Sequence, residues 1–345
     1  MSVASAQHVA SILPKARCWF WAPAGEVYEV KREVLLKHER AFERELSPTT
    51  APTWTGMQAA LADIGKSAVF LALHGVGGED GRIQAWLEAQ EVLFTGSSAA
   101  ASRAAFDKTV AKRIVSKAGV RVAKADVLSG RNTAHSEAAI RGMWERYGRI
   151  VVKPVADGSS HGLCVVDDES SFRRAVDQVS AMPEQTWLLE EFITGREITV
   201  GVIDAEQGLV ALPASEVILD RGRRFDYEGK YLGRGTKEVT PADLDDRTRE
   251  AVCEVAKSAH ASIGCRGYSR IDMIVDARGP VFLEINNLPG LTKSSFIPQQ
   301  LAAAGIPMAD FVTRQLELAK HRYDEPAKRR KPGLSRASRS RHAED

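Results

Sequence analysis

The stretch Ser269–Val275 (SRIDMIV), the turn-rich Asp276–Pro280 (DARGP) and the run Val281–Asn286 (VFLEIN) decide the reading of this chain. Alternation with period two puts Arg270 and Asp272 on one strand face and Ile271 and Met273 on the other, and it groups Glu284 with Asn286 against Ile285. Joined as a hairpin with Val275 paired to Val281, the strands set Asp272 opposite Glu284 and Arg270 opposite Asn286. Two carboxylates, an amide and a guanidinium then share one patch. Opposed carboxylates repel unless a cation neutralises them, and an all-oxygen donor set suits Mg²⁺ completed by substrate phosphates. The alternative is a solvated ladder in which Arg270 satisfies both acids.

Moving toward the N-terminus, Val151–Gly162 (VVKPVADGSSHG) reads as a strand delivering Lys153, followed by a loop with Gly158, Ser159, Ser160 and Gly162. Backbone N–H groups and hydroxyls of such a loop can close over phosphate oxygens, although the Walker spacing is absent. The carboxylate-rich strand Leu188–Phe192 follows. Cations for phosphates, a closing loop and carboxylates for magnesium are the separated parts of a phosphoryl-transfer site, so the sum implies ATP and Mg²⁺.

The rest supplies the frame. Apolar Ser67–Leu73 reads as a covered parallel strand, running into the glycine loop His74–Gly81 (HGVGGEDG) and a helix over Arg82–Gln90, the grammar of an open α/β sheet. Helices are expected over Met1–Leu13, Phe106–Gly119, Ser170–Met182 and Thr248–Ile263, and short strands over Arg149–Pro154, Gly162–Val166, Trp187–Phe192, Glu197–Ile203 and Leu209–Pro213. This mixture predicts an α+β body.

Composition narrows the class. The 345 residues are 44% hydrophobic and 27% charged, enough to bury a sizeable core in two or three domains. The 47 Lys and Arg nearly cancel the 45 Asp and Glu, which disfavours a general grip on nucleic acid. A local surplus lies in Lys320–Asp345, a basic tail expected to be disordered. The four scattered cysteines fit neither a zinc site nor a disulfide scaffold, and no segment reads as a membrane span or signal peptide. A cytoplasmic protein is expected.

His74–Gly81 (HGVGGEDG), Lys153–Gly162 (KPVADGSSHG), Leu189–Glu197 (LEEFITGRE), Asp226–Leu232 (DYEGKYL), Gly264–Asp272 (GCRGYSRID) and Glu284–Thr292 (EINNLPGLT) resemble, in order, the motifs of the D-alanine–D-alanine ligases, which are ATP-grasp enzymes. The resemblance reaches from the first residues to about Leu318. It implies an N-terminal open α/β domain (1–97) before the two α+β lobes of an ATP-grasp fold (98–190 and 191–320), with 321–345 as the tail. It also implies an ADP-forming ligation of two D-alanines through an acyl phosphate, for peptidoglycan precursor synthesis, with ATP and two Mg²⁺ or Mn²⁺ ions. A homodimer through the N-terminal domain is implied, with no membrane or nucleic-acid partner.

By the same resemblance, Lys108, Lys153 and Lys230 address the phosphates, and Ser159 and Ser160 belong to the flap. Glu190, Glu191, Phe192, Ile193 and Glu197 line the adenosine side, and Asp272, Glu284 and Asn286 are the metal ligands. Arg270 and the Gly290 N–H face the tetrahedral oxyanion; Ser295 and Phe296 meet the acceptor D-alanine; His74 lies near the substrate amine; Tyr231 works with Ser159 and favours an amine acceptor. On residue chemistry alone Lys108 could be solvated, His74 structural and Ser295 a helix cap.

One departure is at the front. The family's first strand and a glutamate for the ammonium of D-alanine have no counterpart, and Met1-Ser2-Val3-Ala4-Ser5 resembles the Val-Ser-x-x-Ser segment that follows them. One expectation is a GTG valine codon taken as the start of a longer gene. The other is a short form with a weakened sheet and ammonium site. Another ATP-grasp carboxylate–amine ligase, an ATP-binding non-catalytic homologue and an RNA contact through the tail are the competing functions.

Overall fold

The computed structural model describes residues 1–129, 133–156, 162–219 and 236–322. Its N-terminal part begins with α1 (Ser2–Ile12), the hairpin β1 (Cys18–Trp21) and β2 (Val27–Val30), α2 (Arg32–Lys37), α3 (Met57–Ala62) and α4 (Arg82–Ala89). The strand expected over Ser67–Leu73 is reduced to a single parallel bridge between Val69 and Phe94. Its apolar side chains are still absorbed, for Leu71 packs with Ile83, Leu87 and Phe94 in one core. The glycine loop before α4 is dictated by close approach: at Gly81 (φ +84°) a Cβ would stand 2.5 Å from the Ala99 carbonyl.

The helix expected over Phe106–Gly119 is two helices, α5 (Ala99–Phe106) and α6 (Lys108–Lys117), broken at Asp107. Asp107 ends α5 in extended geometry and its carboxylate accepts from the N–H groups of Thr109 and Val110, so it starts a new helix as an N-cap. Gly119, at φ +85°, ends the pair as the sequence predicts.

A four-stranded antiparallel sheet follows, with α7 (Thr133–Tyr147) and α8 (Glu169–Ala181) packed on it. Its strands β3 (Ala125–Ser129), β4 (Ile150–Pro154), β5 (Cys164–Val166) and β6 (Thr186–Glu191) run in the order β3-β6-β4-β5. Ile150, Val152, Trp187 and Leu189 face Ile140 and Phe172 of the helices. Alternation turns Lys153 and Glu190 to the other face, and the register Val151↔Glu190, Lys153↔Leu188 makes them diagonal neighbours.

The last sheet contains β7 (Arg196–Ala205), β8 (Gly208–Ala211), β9 (Ser215–Leu219), β10 (Thr236–Val239), β11 (Tyr268–Asp276) and β12 (Gly279–Asn286). Its path is β10-β9-β7-β11-β12, with β8 paired to β7. One face meets α9 (Asp246–Ile263) and α6 through Ile198, Val200, Ile271, Met273 and Ile285 against Val252, Ala256 and Val115. The polar face carries Thr199, Arg270 and Asp272 and is closed by α10 (Phe296–Ala303), with α11 (Met308–Lys320) beyond it.

The β11–β12 hairpin corrects one detail of the sequence reading. Val275 pairs with Pro280 and Ile274 with Val281, one residue away from the expected match. A register shift between Asp272 and Met273, which leaves Leu283 out of the ladder, restores the expected pairs Asp272↔Glu284 and Arg270↔Asn286. A bulge is where a sheet re-aims side chains, and this one sits beside the carboxylates.

Candidate active site

One cleft gathers residues from both ends of the chain. Its lining includes His74, Lys108, Arg270, Glu284, Asn286 and Gly290, together with Ser295 and Phe296 at the start of α10. Arg270 of this lining grips Asp272 with its fork, Nε 2.9 Å from Oδ1 and Nη2 2.7 Å from Oδ2, while the Thr199 hydroxyl donates to Oδ1 at 2.6 Å. The guanidinium also stands 5.7 Å from the Phe296 ring, so its plane is fixed from two sides.

Across the ladder, Glu284 has the Lys108 ammonium at 3.6 Å, and Asn286 turns its Oδ1 to the N–H of Leu288 at 2.8 Å. These donors fit a hard divalent cation. Asp272 and Glu284 are register partners, Asn286 shares their face, and all three offer oxygen. The amide of Asn286 is needed for the set, because among the described residues no three His, Cys, Asp or Glu side chains converge.

The turn after β12 is held by long-range contacts. The Leu288 carbonyl lies 2.8 Å from His74 Nδ1 and can only accept, so Nδ1 carries a proton; Nε2 then faces the Ser5 hydroxyl at 2.8 Å. Ser5 Oγ also accepts the N–H of Leu291, and Ser2 Oγ accepts that of His74. Glu79 Oε1 stands 3.7 Å from His74 Nδ1. At Gly290 a Cβ would meet Ser295 Oγ at 2.7 Å, so the backbone there is open to the cleft only because the side chain is missing. Ser295 is the N-cap residue of α10, yet its hydroxyl makes no cap bond and instead lies 2.7 Å from Thr292 Oγ1.

A second cluster joins the two sheets. Glu190, 3% exposed, has Lys112 Nζ 2.7 Å from Oε1 and Lys153 Nζ 2.6 Å from Oε2. Burial alone would raise this carboxyl, but Lys153 and then Lys112 outweigh it and hold its pKa down to about 2. Burial disfavours both ammonium groups. At Lys153 the attraction of Glu190 and Glu284 overcomes it and the pKa is raised, whereas Lys112, which also feels Lys153, is lowered.

The other expected residues are placed less centrally. Glu191 accepts the N–H of Lys124 at 2.9 Å, and Phe192 lies under the Arg149 guanidinium, 3.7 Å from its ring centre. Ile193 is half-buried in the connection to β7, and Glu197 is on β7 opposite Val217 and Ile274. Ser159, Ser160, Lys230 and Tyr231 lie outside the described residues. Sequence reasoning missed Lys112, Thr199, Ser2, Ser5 and Glu79. Lys112 carried a signal, because it follows Lys108 by four residues and so shares its helix face, and Ser2, Ser5 and Glu79 lie inside the segments Met1–Ser5 and His74–Gly81 quoted above.

Comparison with known proteins bears on the family and the fold. A family model for the C-terminus of D-ala D-ala ligase matches residues 114–317. A D-alanine–D-alanine ligase of Leptospira interrogans is 37% identical over 255 residues, 72% of each chain. Among solved structures, the VanG D-Ala:D-Ser ligase of Enterococcus faecalis superposes with TM-score 0.75 and 26% identity over 92% of this chain and 95% of that one. The Bacillus anthracis D-alanine–D-alanine ligase complexed with ATP gives TM-score 0.62 at 25% identity, covering 77% and 85%. The fold and the cleft therefore define an ATP-grasp ligase. More specifically, the chain belongs to the D-alanine–D-alanine ligase family.

Proposed function

We propose that this chain uses ATP to join two D-alanines into D-alanyl-D-alanine, releasing ADP and phosphate, and so feeds peptidoglycan synthesis. The observation that carries the proposal is the cleft that brings together Arg270, Glu284, Asn286 and the open backbone at Gly290, with Asp272 held by Arg270 and paired to Glu284. A carboxylate oxygen of the first D-alanine takes the γ-phosphoryl group. The amine of the second then attacks the acyl carbon, and phosphate leaves. Lys108 and Lys153 meet the phosphates, which can replace Glu284 and Glu190 as their anionic partners. Arg270 and the Gly290 N–H are directed at the oxyanion, where fixed donors act without reorganisation. Ser295 and Phe296 receive the acceptor, and His74 with Glu79 bounds the amine side.

Asp272, Glu284 and Asn286 would hold Mg²⁺ or Mn²⁺, as two ions, which would neutralise the charge of the phosphates. The flap serines Ser159 and Ser160, Lys230 and Tyr231 complete the proposed site on the nucleotide and acceptor sides, and Glu190, Glu191, Phe192, Ile193 and Glu197 its adenosine side. The division into 1–97, 98–190 and 191–320, a homodimer and a cytoplasmic location belong to the same reading. No described helix is long and apolar enough to cross a membrane.

The test is phosphate release by the full chain with ATP and Mg²⁺, with D-alanine as substrate and L-alanine, D-lactate and D-serine offered separately. D-alanine-dependent release with a dipeptide product is expected. ATP binding without D-alanine-dependent turnover would instead make the chain a non-catalytic relative, and release with another acid would reassign the substrate.

A further inference from the structure

The Glu190 cluster holds a lysine to which the site just described gives no task. Lys112 lies one helical turn beyond Lys108 on α6, and its ammonium sits on Glu190 Oε1 at 2.7 Å. It is also tied to β12, with Nζ 3.3 Å from the Phe282 carbonyl and 5.8 Å from the centre of the Phe282 ring. Lys153 occupies the other carboxylate oxygen at 2.6 Å, and among the described residues that is its ion pair. The two cations are thus unequal. Lys112 is fixed by three contacts from two elements, while Lys153, near the end of β4, has the Glu190 ion pair.

Two ammonium groups around one carboxylate leave a surplus positive charge. If Lys153 turns to the phosphates of ATP, Glu190 loses one counter-ion in a site where an unpaired carboxylate cannot stay charged. We propose that Lys112 is the fixed counter-ion of Glu190, keeping that carboxylate ionised and in place while Lys153 exchanges Glu190 for the nucleotide's phosphates. This rests on the ATP reading above. It makes Lys112 a positioning residue that need not touch ATP. The groups facing Glu190 are Lys112 from α6 and Lys153 from β4, Glu284 of β12 acts on both lysines, and β3 presents only Ala125. With Lys112 in place, arrival of ATP also removes Lys153 as its repelling neighbour.

The experiment is MgATP binding and steady-state turnover by the full-length chain and its K112M, E190Q and K112M/E190Q variants, from about pH 6 to 8.5. Without Lys112, Lys153 stays on Glu190 unless that carboxylate takes up a proton. At high pH the K112M dissociation constant for ATP is therefore expected to rise at least about tenfold over wild type, with kcat at saturating ATP changed by less than about threefold. The ratio of K112M to wild-type dissociation constants should shrink as pH falls, which loss of packing alone would not produce. In the E190Q background, K112M should add less than about a twofold effect.

A ratio independent of pH, or an undiminished K112M penalty in the E190Q background, overturns the proposal. Should K112M alone fail to fold, a folded, ATP-binding double variant supports the counter-ion role and an unfolded one refutes it. A wild-type chain that binds no ATP would sink the ligase reading itself, whereas wild-type binding with a flat ratio sinks only the role of Lys112.

Discussion

Asp272 stands directly opposite Glu284 in the β11–β12 ladder, and the register shift that keeps them opposed begins at the next residue, Met273. Without the skipped Leu283, the pairing seen near the turn would carry through to this end of the hairpin. Every polar side chain of the patch would then face a different neighbour. The bulge therefore sets which groups meet in the cleft.

Replacing Glu284 by Gln keeps the shape and removes one charge from this pair. The Mg²⁺ concentration for half-maximal activity is expected to rise at least about tenfold, with kcat falling on the order of a hundredfold. Phosphate release measured across a magnesium series checks this, and an unchanged magnesium dependence would remove Glu284 from the metal site. Asp272→Asn should behave alike and also loosen Arg270, which loses the charge of its forked partner.

Gly290→Ala would push a methyl group to 2.7 Å from Ser295 Oγ. The hydroxyl must swing off Thr292 or the turn must retreat, and both disturb the end of the cleft proposed to take the acceptor. We expect a drop of about tenfold or more in kcat/KM for D-alanine with a shift of only a few degrees in Tm. Steady-state kinetics alongside thermal unfolding would separate the two effects.

Glu190 gives a pH signature in stability. Its pKa is about 2 in the folded chain, below the ordinary glutamate value, so its contribution is complete above the unfolded pKa and fades as pH falls toward the folded one. Urea unfolding should show wild type losing on the order of 3 kcal/mol from this group between about pH 5 and pH 2. Glu190→Gln should lack that portion of the acid dependence. A variant with the same acid slope as wild type would contradict the ion-pair account.

Gly201, in the middle of β7, donates its N–H to Gln300 Oε1 of α10, and a Cβ there would meet the same oxygen at 2.6 Å. Gly201→Ala should destabilise the chain by about 1–3 kcal/mol through overpacking. Calorimetric or denaturant unfolding would register it. Because Gln300 also binds the Thr199 carbonyl and Ser215, the shift should propagate to the strand whose Thr199 hydroxyl holds Asp272.

Much of the architecture was legible because its signals are local. Period-two alternation separated Arg270 and Asp272 from Ile271 and Met273, and the helices over Glu169–Ala181 and Asp246–Ile263 follow apolar spacing and caps. Ser67–Leu73 misled for the same reason. An apolar run reports burial, and burial was satisfied here by packing with a single bridge in place of a ladder. Asp107 could have signalled the helix break, since an aspartate before Lys-Thr-Val is a strong N-cap, but the continuous apolar stripe masked it.

The sequence by itself determined the strand faces, the hairpin and the ordered motifs that mark the family, because each depends on residues a few positions apart. Tertiary structure alone decided that Lys112 shares Glu190 with Lys153, that Ser5 binds His74 and the backbone of Leu291, and that Leu283 drops out of register. Residues 286 positions apart meet in the Ser5–Leu291 bond. Such contacts leave no periodic trace along the chain, since they are set by how separate elements bury their apolar faces and then bring their remaining charges together.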